Sequence, residues 1–123
     1  MIIKDTAQID QKIDSQLNSA AEGYLSLDRQ DYEIVSLGKK SMVVVEVNNI
    51  DFNESVSELK TDLAKLNPVD GDMLVWIKSS VLTMEQLGKF NELISETEGV
   101  NSRKQAILNE GEGYSVMILI CQK

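Results

Sequence analysis

Three short apolar runs constrain this chain more than any other feature: Met42-Val43-Val44-Val45-Glu46-Val47, Met73 to Ile77, and Val116 to Cys121. Each is far below the roughly 18 residues that a membrane span needs. Each is also too continuous for a strand with one wet face, where apolar and polar residues alternate. Runs of this kind belong to strands buried on both faces, near the centre of a sheet that helices cover. The spacing between the first two exceeds a hairpin and suits a crossover that lays strands side by side. Val43, Val45, Val75, Ile77, Val116 and Ile118 are therefore expected in adjacent strands of one sheet.

Helical periods fill the gaps. Ile9, Ile13, Leu17 and Ala20 or Ala21 recur every three or four positions over residues 6–21, with Asp5 or Thr6 to cap the start and Gly23 the end. This first helix is expected against the sheet or against a second subunit. Val56, Leu59, Leu63 and Leu66 form the stripe of a second helix, entered through a Ser55/Glu58 capping pair and closed by Asn67-Pro68. Met84, Leu87, Phe90, Leu93 and Ile94 mark a third, entered through Thr83 and Gln86 and ending near Gly99. Two hairpins complete the reading. One pairs Tyr32–Leu37 with Ser41–Val47 around Gly38-Lys39-Lys40, and the other pairs Gln105–Leu108 with Tyr114–Cys121 around residues 109–113. The expected fold is a single α+β domain over residues 1–123, with a mixed sheet of about four to six strands and three helices on it.

The residues that are missing limit the chemistry. There is no histidine and one cysteine, Cys121, inside an apolar run. Imidazole general bases, Ser/His and Cys/His nucleophile pairs and most transition-metal sites are thereby removed, and one thiol forms no internal disulfide. The expectation is a protein that is not an enzyme and needs no cofactor or metal. Met1-Ile2-Ile3-Lys4-Asp5 does not read as a secretory leader, so a cytoplasmic location is expected.

Twenty acids against twelve bases give a net charge of −8. Residues 51–72 hold Asp51, Glu54, Glu58, Asp62, Asp70 and Asp72 against Lys60 and Lys65, a net −4. Residues 92–112 hold Glu92, Glu96, Glu98, Glu110 and Glu112 against Arg103 and Lys104, a net −3. Such a field repels phosphate backbones and anionic lipid and draws basic partners.

Local motifs resolve into turns and helix faces. Gly38-Lys39-Lys40-Ser41 lacks the first glycine of a phosphate loop, whose place is held by Glu33, and it leads into a strand instead of a helix. Asp70-Gly71-Asp72 is followed by Met73-Leu74-Val75, so the further oxygen ligands of a calcium loop are absent. Glu58-Leu59-Lys60, the one Glu-x-Lys string, falls on the second helix instead of a nuclease strand.

What remains is a surface for another protein. The partner-binding candidates are Asp51, Phe52, Glu54, Glu58, Asp62, Glu96, Glu98, Glu110 and Glu112, with Phe52 as an apolar anchor within the acidic stretch. The function these imply is a non-enzymatic module that inhibits or modulates a basic protein, in the manner of immunity proteins, antitoxins or phage antagonists. A ligand-binding oligomer would instead use Arg29, Lys39, Lys40, Arg103 and Lys104 to hold an anion or nucleotide. A structural part of a virion or secretion assembly is the third class.

Overall fold

The computed structural model describes residues 1–18, 23–25 and 27–123. In chain order the elements are β1 (Ile2–Ile3), α1 (Thr6–Asn18), β2 (Gly23–Leu25), α2 (Arg29–Ser36), β3 (Ser41–Asn49), α3 (Phe52–Ala64), β4 (Gly71–Lys78), α4 (Met84–Ser95), β5 (Val100–Leu108) and β6 (Tyr114–Gln122). The strands form one mixed sheet in the order β1-β3-β6-β4-β5-β2. Only β4 and β5 pair in parallel; β6 runs antiparallel to both of its neighbours. The fold is α+β.

The three apolar runs are the three central strands, β3, β6 and β4. Their odd and even positions divide by the period of two. Val43, Val45, Val75, Ile77, Val116 and Ile118 are all buried on one face, beneath Leu59 and Leu63 of α3 and Phe90, Leu93 and Ile94 of α4. Val44, Leu74, Trp76, Met117, Leu119 and Cys121 form the other face, beneath Ile9 and Ile13 of α1 and Val35 of α2. Burying a side chain of this size is worth about 1.5–3 kcal/mol, so the two faces together hold the sheet. The first helix does pack on the sheet.

Several local expectations are corrected. Tyr32–Leu37 is not a strand but most of α2. Asp28 caps that helix in a reciprocal box with Asp31, and the face that is buried carries Val35 while Ile34 is 55% exposed. A strand would have put Tyr32 and Ile34 on one side. Both hairpins are absent as well: β3 pairs with β1 and β6, and β5 pairs with β4 and β2. β4 lies between β5 and β6, so residues 109–113 step over its end across two strand spacings, about 10 Å, well within the reach of five residues. For the same reason the crossover from β3 leaves β4 one strand away, with β6 in the gap. Among the described residues there are four helices instead of three.

The caps are mixed. Asp5 accepts from the backbone N–H of Ala7 at 2.8 Å as expected, while Gly23 opens β2 and Ala20 and Ala21 lie outside the described residues. At α3 the cap is Asp51, accepting from Glu54 N at 2.9 Å; Ser55 is fully buried within the helix and donates to the Asp51 carbonyl. Thr83 and Gln86 form the expected reciprocal box.

Candidate interaction surface

The parallel strands β3, β4 and β5 all end at the same edge of the molecule, where the entrances to α3 and α4 and the 109–113 segment meet. Crevices beyond strand carboxyl ends are the usual place for binding in sheets with crossover helices. Here three loops brace one another. Ser79 N donates to Leu108 O, and Ser80 donates to Gly111 O through both its backbone N–H (3.0 Å) and its hydroxyl (2.6 Å). Gly113 lies against the β3–α3 loop so closely that a Cβ there would fall 2.5 Å from the Asn49 carbonyl oxygen. Gln86 Nε2 donates to Tyr114 Oη at 3.1 Å, tying α4 to the start of β6.

Apolar side chains project outward from this frame. Asn49 accepts from Asp51 N at 2.9 Å and donates to Glu54 at 3.2 Å, and the resulting turn leaves Ile50 80% exposed. Ser79 Oγ accepts from Val81 N, and Val81 is 53% exposed. Met84, the first residue of α4, is 82% exposed and is not part of the buried helix face that its spacing suggests. A cavity of about 610 Å³ runs beside it, lined by Leu82, Leu87, Ile107 and Leu108, and a second of about 700 Å³ lies under Ile50 beside Lys78, Glu110 and Tyr114. Glu54, Glu85, Glu110 and Glu112 are exposed on the same loops and helix entrances. The one base that ends a strand here, Lys78, is 3.8 Å from Glu110.

The nine partner-binding candidates therefore divide. Asp51, Phe52, Glu54, Glu110 and Glu112 belong to this edge. Glu96, which caps the C-terminus of α4, and Glu98 lie at the opposite edge, where β4 and β5 begin. Asp62 is 8% exposed and 2.5 Å from the α-amino group of Met1, which is also 3.5 Å from Glu58. Phe52 packs inward: its ring is 5.2 Å from that of Phe90 and 5.4 Å from that of Tyr114, both edge-on. Val81, Met84 and Glu85 are the residues that sequence reasoning missed. An apolar side chain standing between a strand end and a helix cap, outside either period, is the signal that marks Val81, as it marks Ile50; Met84 falls on the helical stripe and Glu85 is charged, so neither carries that mark.

The five cations named for an anion site are dispersed. Arg29 is paired with Asp14 of α1, and Lys104 with Asp31 of α2 at 2.9 Å. Lys39 is 3.0 Å from Asp72 and Lys40 is exposed beside it. Arg103 points to the opposite face from its neighbour Lys104 and donates to Ser95 Oγ at 3.2 Å. Asp72 also accepts from Ser102 Oγ at 2.6 Å, and this bond, then Lys39, holds its carboxyl below the usual range against the opposing effect of burial. Burial, reinforced by Asp72, pushes the Cys121 thiol up to about 11. Among the described residues no group of three or more acids or thiols is placed to hold a metal ion, and no helix is long and apolar enough to cross a membrane.

No protein-family model matches the sequence, and a search of curated proteins gives no match. Solved structures do match in fold. An FtsZ dimer from M. jannaschii superposes with a TM-score of 0.56 at 14% identity, over 93% of this chain and 38% of that one. A substituted FtsZ from the same organism gives 0.54 at 15% identity, over 98% and 42%. GDP-form protofilaments of Bacillus thuringiensis serovar israelensis TubZ give 0.57 at 12% identity, over 98% and 40%. At these identities the likeness is one of fold, and the chain spans about two-fifths of each solved chain.

Proposed function

We infer that this chain is a non-enzymatic protein-binding module that restrains or blocks a basic partner. The observation that carries the reading is the exposure of Ile50, Val81 and Met84 on one braced edge fringed by Glu54, Glu85, Glu110 and Glu112. An apolar centre with a charged rim is how protein interfaces are built, and a frame already fixed by hydrogen bonds loses little freedom on docking. The acidic rim attracts a basic partner and raises the association rate, over a range of about 8 Å at physiological salt.

The test is affinity capture with the wild-type chain, with Ile50→Asp/Met84→Asp, and with Glu85→Lys/Glu112→Lys. A basic protein should be held by the wild type and released by raised salt. The first variant should shorten its residence and the second should slow its association. Retention of the same proteins by all three chains, independent of salt, overturns the reading. Asp62 is left unchanged because a lysine there would be buried.

A second reading has its own support: solved structures of this fold include a dimer and protofilaments. On that reading the chain is a component of an assembly, and sedimentation velocity should show mass growing with concentration. A single monomeric species across the range argues against it.

A further inference from the structure

We propose that the outer edge of β5 accepts an extended acidic segment of another protein as an added strand. β5 pairs with β4 in regular register from Ser102 to Leu108, after one extra residue, Asn101, between the partners of Gly71 and Asp72. Among the described residues its other side meets β2 only at Ile107 and Leu108. Among the described residues, Ser102 to Ala106 have no strand beyond them, although they lie in a fully formed ladder. An open ladder of five regular residues is a template for strand addition, in which main-chain hydrogen bonds supply affinity and alternate side chains supply selectivity.

The charge on this edge indicates the occupant. On the α2 side Lys104 is neutralised by Asp31, whereas among the described residues Arg103 on the α4 side has Ser95 Oγ as its one hydrogen-bond partner. Beside Arg103 is a cavity of about 250 Å³ bordered by Ile94, Thr97, Val100 and Asn101, and the Thr97 hydroxyl there has no hydrogen-bond partner among the described residues. A carboxylate carried on an added strand would meet the Arg103 guanidinium, which binds such groups through two parallel hydrogen bonds. A second copy of this chain is the wrong occupant. Antiparallel pairing of two β5 ladders about their centre sets Lys104 against Lys104 and Arg103 against Gln105, so it offers Arg103 no carboxylate.

The test uses the full isotope-labelled chain and two synthetic blocked peptides, Thr-Glu-Val-Glu-Val-Glu-Thr and Thr-Lys-Val-Lys-Val-Lys-Thr, with amide hydrogen exchange read by NMR. In the free chain the outward amides within residues 102–106 should exchange as fast as loop amides. The acidic peptide should slow them roughly tenfold when it exceeds its Kd about tenfold, and the basic peptide should not. Arg103→Glu should reverse that preference. Slow outward amides in the free chain, equal protection by both peptides, protection elsewhere, or none at any concentration each overturn the proposal. The wild-type comparison decides the matter even if the variant fails to fold, and it does not involve the Ile50–Met84 edge.

Discussion

Phe52 is the residue at which binding and folding compete. A ring that opens a helix within an acidic stretch suits a partner anchor, yet this one is wedged edge-on between Phe90 and Tyr114 and joins the core beneath α3 and α4. Phe52→Ala is accordingly expected to cost about 2–3 kcal/mol in urea unfolding, somewhat below the ~3–5 kcal/mol of a fully buried ring because Phe52 is half-buried. An unchanged midpoint would mean that the three rings do not pack. Asp72 carries a pH signature. Its folded-state pKa is lowered by Ser102 and Lys39, so the folded chain binds that proton more weakly than the unfolded chain does. The stability it contributes is complete above the ordinary carboxylate value of about 4 and is lost as pH falls through the folded value. Asp31, lowered first by the backbone N–H of Asp28 and also by Lys104, acts in the same sense. Asp72→Asn should therefore flatten the fall in stability between about pH 6 and pH 2, which denaturant titrations at each pH measure.

Among the elements, α4 shows how directly a capping pattern reports a helix. Thr83→Ala removes one half of its reciprocal box and should cost about 1 kcal/mol. Gly88 lies mid-helix where an added methyl meets nothing within 4 Å, so Gly88→Ala should stabilise by up to ~1 kcal/mol. Thermal unfolding of the two single variants, with shifts of opposite sign, checks both. The same pattern at Asp28 and Asp31 was the readable mark of α2. Beside it stands Tyr32-Glu33-Ile34-Val35, whose β-branched content imitates a strand while its buried side follows a helical period. The three central strands were legible because burial on both faces demands unbroken apolar runs. Their order was not, because pairing between distant segments leaves no local trace, and the polar run of β5 was the remaining sign that it lies toward an edge. The acidic side of the candidate surface could be read from charge, whereas its apolar centre depends on loops whose exposure only the folded frame defines.

At the scale of the whole molecule, β6 follows every other element in the chain and yet lies between β3 and β4. Synthesis proceeds from the N-terminus, so two of the most apolar strands emerge well before the strand that joins them. Until then each presents an unpaired inner edge, a state prone to association. The opening between them matches β6 in length and register, and it cannot distinguish the β6 of its own chain from that of another copy. Two chains made close together are therefore expected to exchange last strands and close as an intertwined pair, and sedimentation velocity on protein refolded at high and at low concentration checks this. The arrangement that sets the final strand at the centre of the sheet also makes the timing of synthesis part of how the fold is reached.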